Sequence, residues 1–227
     1  MKKRFFMLFV LLAIFVSLVG SAGHGNAKQP ASASIAAAAQ QPDQQTFQGA
    51  PDWEHPFRLS STTFQRDGQI PATMVFNGTL GSTCTGGNES PELSWTHAGR
   101  GTRSYVVALF DVSANFTHWG VYNIPPETTE LPAGAGAPGS TTEPQVYNDA
   151  GIQGYTGPCP PPGSETDTNG IHQYVFTVYA LDQKLDLIPS PDFPPSADAL
   201  YRAMINHVID QASITGFFSC TDASSCS

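Results

Sequence analysis

The stretch Tyr147–Phe176, YNDAGIQGYTGPCPPPGSETDTNGIHQYVF, divides into two halves of opposite character. Its first half carries glycine and proline at a density that no helix or central strand survives, because proline removes a backbone donor and glycine raises the entropic cost of order. It reads as a defined loop. From His172 the pattern changes: His172, Tyr174 and Phe176 alternate with Gln173, Val175 and Thr177. That period of two puts the imidazole and the phenol on one sheet face. A rigid rim therefore leads into a polar strand end.

Upstream of this stretch, Ser104–Phe110 (SYVVALF) is apolar on both faces, fits a central strand buried on both sides, and ends at Asp111. A short polar connection, Val112–Phe116, leads to a strand over Thr117–Ile124. Alternation puts His118, Gly120 and Tyr122 on one of its faces, and Pro125 and Pro126 stop it. Phe57–Thr63 reads as an edge strand, Asp67-Gly68 as a turn, and Cys84–Asn88 as a loop before a short strand around Leu93–Trp95. Glu127–Thr142 lacks an apolar period and reads as a surface loop. Near the end, Pro195-Ser196 opens a helix capped by Ser196, with Leu200, Ala203, Met204, His207 and Val208 on one apolar face and Gly216 as its stop. Together these elements make a mainly β domain with antiparallel connections and one late helix.

Residues 1–27 start with Lys2, Lys3 and Arg4, continue through an apolar run from Phe5 to Val19 and end among small residues, the pattern of a secretory signal peptide. The apolar run is shorter than the roughly 20 residues of a spanning helix, so no stable transmembrane segment is expected after cleavage, an uncleaved signal anchor being the alternative. Cleavage after Ala22 and cleavage after Ala27 both fit. No cysteine stands at its end to take a lipid. Residues 28–55, rich in Ala, Gln, Pro and Ser, read as a disordered linker. The domain then spans 56–219, enough for one hydrophobic core and too little for two, and 220–227 form a short tail.

The chain has 10 Lys plus Arg against 19 Asp plus Glu; removing the three cations of the leader leaves 7 against 19, a net charge of −12. Such a surface repels nucleic acid and anionic membranes, so any phosphate-bearing ligand has to be held by a local pocket. Four cysteines, Cys84, Cys159, Cys220 and Cys226, in an exported chain indicate two disulfides, with three pairings open.

Several motifs match one family in the same order. Gly154, Tyr155, Gly157, Pro158 and Cys159-Pro-Pro-Pro-Gly163, followed by His172-x-Tyr174-Val-Phe, are joined by Ser90-Pro-Glu-Leu-Ser-Trp95 and Gly101-Thr-Arg-Ser104. His118-Trp-Gly-Val-Tyr-Asn-Ile-Pro125 and Phe176-Thr-Val-Tyr-Ala-Leu-Asp182 complete the set. In these motifs the chain resembles the phosphatidylethanolamine-binding proteins (PEBP), in their bacterial Raf-kinase-inhibitor-like branch. The resemblance implies a fold of two antiparallel β-sheets with a few peripheral helices. It also implies a ligand pocket formed by Asp111, His118, His172 and Tyr174 with Gly157 and Pro158 at its rim, and a Cys84–Cys159 disulfide that leaves Cys220 with Cys226. Imidazoles and a phenol can serve phosphate oxygens, and a carboxylate can orient an imidazole or accept from an ammonium group. Without the motifs around them, His118 and His172 would read as solvated or core imidazoles, and Tyr174 as a core aromatic. His55, His97 and His207 have no such support and receive no role.

The chain departs from the family pattern at one wall. Where relatives have Asp-Pro-Asp-Ala-Pro, this sequence reads Asp111-Val-Ser-Ala-Asn115, so Ser113 replaces the second carboxylate and both prolines are gone. Tyr147 stands where relatives often carry arginine, and Glu165 and Asp167 belong to extra residues before His172. Headgroup specificity is therefore not carried over.

The expectation is an exported protein that binds a small anionic or phosphate-bearing ligand, such as a lipid headgroup, with no cofactor and no metal. If the imidazoles bind as cations, affinity falls as pH rises through their ordinary pKa near 6.5. Inhibition or regulation of an extracytoplasmic protease or another protein partner is the alternative. Hydrolysis by the Asp and His cluster ranks last, since no nucleophile elbow, dedicated metal spacing, or phosphate-binding or dinucleotide loop occurs.

Overall fold

The computed structural model describes residues 56–80, 83–96, 98–140, 143–161, 170–187, 195–220 and 226. The expected signal peptide, the linker to residue 55 and the acidic insertion with Glu165 and Asp167 lie outside them. In chain order the elements are β1 (Arg58–Ser60), β2 (Gly68–Gln69), β3 (Asn77–Thr79), β4 (Thr83–Thr85), β5 (Leu93–Thr96), β6 (Ser104–Asp111), β7 (Phe116–Ile124), β8 (Glu130–Leu131), β9 (Ile171–Leu181), α1 (Ala197–Met204) and β10 (Val208–Ser219).

The two segments with the strongest strand patterns lie side by side at the centre. β9 pairs antiparallel with β6 on one side and with β10 on the other, in a five-stranded sheet ordered β2-β10-β9-β6-β7. β1, β5 and β8 form a three-stranded antiparallel sheet, with β1 at its edge as its alternation suggests, and β3 and β4 make a separate hairpin. Among the described residues the pairings between these strands are antiparallel except that of β10 with the two-residue β2. The fold is mainly β with one helix near the C-terminus among the described residues.

Alternation in β6 and β9 feeds two cores. Tyr105, Val107 and Leu109 of β6 and Tyr174, Phe176 and Val178 of β9 join Leu59, Leu93 and Trp95 in the larger core. Val106 and Leu181 point the other way, into a smaller core closed by Leu200 and Met204 of α1. Each fully buried Leu or Phe contributes about 1.5–3 kcal/mol by the area removed from water.

The C-terminal region differs from the sequence reading. Ser196 caps α1 as expected, its hydroxyl accepting from the Ala199 amide at 3.3 Å. The helix nevertheless stops at Met204. Asn206 adopts φ 72°, a left-handed conformation that ends helices, and Val208 and Gly216 belong to the long strand β10. In β10, Ala212, Ile214, Gly216 and Phe218 face inward in alternation. Gly216 is required by contact, because a Cβ there would come within 2.8 Å of Ile70 Cγ1. His207 lies in the turn after the helix and pairs with Asp182 at 3.0 Å.

The remaining differences are small. The loop expected at Cys84–Asn88 begins inside β4, and the excursion expected at Glu127–Thr142 contains β8. Both disulfides form as the resemblance implied, Cys84 with Cys159 and Cys220 with Cys226. Among the described residues no helix is long and apolar enough to cross a membrane.

Candidate functional site

Four polar side chains converge at the end of the large sheet where β6 stops and β9 starts. Register places Asp111 directly opposite Tyr174, and His172 lies two residues before Tyr174 on the same face. Asp111, His118, His172 and Tyr174 are each at most 3 % exposed. Buried polar groups at this depth persist only when their hydrogen bonds are made.

Asp111 organises the cluster. Its Oδ1 accepts from the amides of Ser113 and Ala114 at 2.9 and 3.1 Å, closing the turn between β6 and β7. Its Oδ2 accepts from His172 Nδ1 at 2.6 Å, and His118 Nε2 stands 4.0 Å away from the same oxygen. Ser113 Oγ accepts from the Gln173 amide at 3.0 Å, so the turn is also tied to β9. Burial first, and then the neighbouring Asp111 carboxylate, which accepts from the phenol, hold Tyr174 well above the usual tyrosine range. Tyr174 is therefore a neutral donor.

His118 reaches this face through an irregularity that alternation does not predict. In the β6–β7 ladder Leu109 pairs with Trp119 and Phe110 with Thr117, so His118 is an extra residue where the register shifts. Such bulges re-aim a side chain. Gly120 and Tyr122 face the smaller core, where a Cβ on Gly120 would meet Leu200 Cδ2 at 2.8 Å. His118 instead turns toward Asp111 and Tyr174, its ring 5.3 Å from that of Tyr174. The expectation that His118 shares a face with Gly120 and Tyr122 is thus corrected.

The Thr156 backbone brackets His118 on both sides. The Thr156 amide donates to the His118 carbonyl at 3.0 Å, and His118 Nδ1 donates to the Thr156 carbonyl at 2.7 Å. With the proton on Nδ1, a neutral ring carries its lone pair on Nε2. Burial pushes the His118 pKa down to about 4, against the opposing pull of the Thr156 carbonyl and Asp111. With its pKa held that low, His118 is uncharged at neutral pH and its Nε2 is free to serve as an acceptor for a ligand, so the expectation of a cationic imidazole does not apply to it.

A residue without any assigned role in the sequence holds this arrangement. The two Nδ2 hydrogens of the buried Asn148 are shared among three acceptors, the carbonyls of His118 and Gly154 and Thr156 Oγ1, at 3.1, 3.0 and 2.8 Å. Its Oδ1 accepts from the amides of Ala150 and Ile152. The signal was the turn-forming Asn-Asp-Ala-Gly run, in which an asparagine commonly bonds nearby backbone.

The cluster opens onto a cavity of about 200 Å³ lined by Leu80, Asp111, Ala114, Phe116, His118, Cys159, Pro160, Pro161, His172 and Tyr174. None of these is Lys or Arg. Asp111, His118, His172 and Tyr174 thus come together, and Pro160 and Pro161 form the rim. Gly157 and Pro158 stand behind it. Gly157 donates to Asn88 Oδ1 at 2.8 Å, and the Pro158 carbonyl accepts from the Phe76 amide at 3.0 Å. A Cβ at Gly157 would lie 2.1 Å from the Met74 carbonyl oxygen, so the close approach that demands glycine there is to the chain itself. A larger open groove, about 700 Å³, runs along Arg58–Arg66 and Ile214 on another face and contains none of these groups.

Comparison with known proteins agrees with the motifs. The family model described as phosphatidylethanolamine-binding protein matches residues 60–219. A UPF0098 protein of Methanothermobacter thermautotrophicus is 35 % identical over 165 residues, covering 70 % of this chain and 97 % of that protein. A Mycobacterium tuberculosis protein that carries a lipoprotein name, LppC, is 32 % identical over 165 residues, covering 72 % of each chain. The crystal structure of Escherichia coli YbcL, described as a new member of the mammalian PEBP family, superposes with a TM-score of 0.61 at 33 % identity over 72 % of this chain and 98 % of that one. From the β-rich fold, the converging cluster and these matches together, the chain belongs to the phosphatidylethanolamine-binding protein family.

Proposed function

We propose that this protein is exported and binds a small ligand bearing a phosphate or other weakly acidic group, taken up together with a proton, in the cavity between Asp111, His118, His172 and Tyr174. One observation carries the reading: four buried polar side chains converge on one hollow that contains a carboxylate and, among its described lining residues, no Lys or Arg. A dianion would face Asp111 without compensation. A monoprotonated phosphate instead donates its own hydrogen to His118 Nε2 and accepts the Tyr174 phenol hydrogen, which turns from Asp111 to the ligand, and an ammonium group on the same ligand takes its place as a donor to Asp111.

Size and lining support a headgroup rather than a whole lipid. A drug-sized site typically measures about 300–1,000 Å³, and this one is about 200 Å³. Leu80, Phe116, Pro160 and Pro161 offer an apolar rim for a short alkyl or ester portion. Export is supported by the leader-like N-terminus, by two disulfides and by the lipoprotein name of one relative.

Calorimetry with phosphorylethanolamine and with inorganic phosphate, at about pH 5.5 and about pH 8 on either side of a phosphate monoester's second pKa near 6, tests the reading. Affinity several-fold tighter at the lower pH, with net proton uptake seen by comparing buffers of different ionisation enthalpy, is expected. Equal affinities at both pH values, or binding unchanged when His118 and His172 are both replaced by alanine, reject it.

A further inference from the structure

All four cysteines meet at one place beside the cavity. Cys84 Sγ is bonded to Cys159, and it also lies 3.5 Å from Cys226 Sγ and 3.9 Å from Cys220 Sγ, so the two disulfides touch. Cys84 and Cys226 are moreover antiparallel bridge partners on the backbone. Directly opposed antiparallel residues have Cα atoms about 4.5–5.5 Å apart, within the range of about 4.4–6.8 Å that a disulfide accepts. A Cys84–Cys226 bond can therefore form without moving the main chain far. Burial grades the four sulfurs: Cys84 and Cys159 are deeply buried, Cys220 nearly so, and Cys226 is half-buried. The bond open to an outside reagent is the outer one.

We infer that these four sulfurs form a thiol–disulfide exchange site, which takes electrons from a dithiol at Cys220–Cys226 and passes the opening on to Cys159 in the cavity wall. In the first step a dithiol thiolate attacks the outer bond. The dithiol's second sulfur then resolves the mixed disulfide, so the dithiol leaves as a disulfide and Cys220 and Cys226 become thiols. In the second step the Cys226 thiolate attacks Cys84 Sγ. The Cys84–Cys226 bond forms, the Cys84–Cys159 bond breaks, and Cys159 leaves as a thiolate that takes up the proton given up by Cys226. Two electrons enter, two thiols remain, and they reside on Cys220 and Cys159. Attack by thiolate on a disulfide sulfur in contact with it is the ordinary route of such exchange.

The consequence falls on the cavity. Cys159 precedes Pro160 and Pro161 at the rim and itself lines the hollow. Its bond to Cys84 ties that rim to the β3–β4 hairpin, and exchange releases the tie while keeping Cys84 cross-linked. The inference stands whatever ligand the cavity takes.

The test is limited reduction of the oxidised full-length protein with dithiothreitol, acid quenching, alkylation, and assignment of the labelled and cross-linked peptides by mass spectrometry at the two-thiol stage. The expected result is a shift of label onto Cys159 and Cys220, with a Cys84–Cys226 peptide pair. Label on Cys220 and Cys226 with Cys84–Cys159 intact overturns the inference, as does label on Cys84 and Cys159, or loss of both bonds with no two-thiol species. A Cys220→Ser variant, which leaves Cys226 as a standing thiol, gives an independent reading. It is expected to contain Cys84–Cys226 and an alkylatable Cys159 without any reductant. Exclusive retention of Cys84–Cys159 in that variant overturns the inference equally.

Discussion

His172 Nδ1 donates to Asp111 Oδ2 at 2.6 Å across the β6–β9 ladder, while the other oxygen of the same carboxylate closes the turn into β7. One side chain thus sets both an imidazole's orientation and the path of the backbone. The tautomer of His172 follows from this bond, since Nδ1 must carry the proton.

Asp111→Asn keeps the size and one oxygen for the Ser113 and Ala114 amides, but it presents an amide N–H to a ring nitrogen that is itself a donor. We expect a loss of about 1.5–3 kcal/mol, the range for hydrogen bonds involving a charged group. Urea unfolding measures it. A loss below about 0.5 kcal/mol would mean that His172 is held by other contacts.

His118 makes stability depend on pH. Its folded-state pKa of about 4 lies below the reference 6.5, so between these values the unfolded chain binds a proton that the folded chain does not. Its contribution is therefore fully present above about 6.5 and is lost as pH falls through about 4, with a span on the order of 3 kcal/mol. Urea midpoints of the native protein and His118→Gln, taken across this window, should converge as pH falls. Parallel profiles would show that His118 is not buried in its neutral form.

Gly157→Ala places a methyl against backbone rather than against a flexible side chain: 2.1 Å from Met74 O and 2.6 Å from Phe76 N. Overpacking costs about 1–3 kcal/mol even where side chains can yield, so the loss here should reach or exceed the top of that range. Gly139→Ala is the control. It meets nothing within 4 Å at φ 79° and should cost only about 1–2 kcal/mol, the left-handed backbone penalty. Comparing the two melting temperatures decides the matter.

Replacing Cys84 and Cys159 together by serine removes a link of sequence separation 75. The chain-entropy model gives about 4–5 kcal/mol, against about 2 kcal/mol for the outer link of separation 6. Denaturant unfolding of the two double variants should show this ranking. The reverse order would indicate that the unfolded chain is already compact between Cys84 and Cys159.

What could be read from the sequence followed the regular elements. SYVVALF and the alternation from His172 mark β6 and β9, and their shared face groups Asp111 with His172 and Tyr174 once the strands pair. Strict alternation sends His118 to the opposite face, because a single-residue slip in the ladder leaves no mark in the side-chain pattern. The early end of α1 was hidden for a related reason. Met204, His207 and Val208 keep helical spacing, but Asn206 turns the chain into a strand whose Ile214, Gly216 and Phe218 carry the period of two. The roles of Asn148 and Gly157 lie in contacts with distant backbone, which spacing along the chain does not encode.

Asp111 and His172 are 61 residues apart, and neither can complete the site alone. A chain still emerging from synthesis therefore has no receptor at all until β9 has zipped onto β6, a non-local closure of the kind that slows folding. Any guest held there recognises only the finished sheet, so at concentrations above its dissociation constant it shifts the folding equilibrium toward the native state by mass action. Occupancy would then read out as a rise in melting temperature, which makes heat resistance a direct assay for unknown guests.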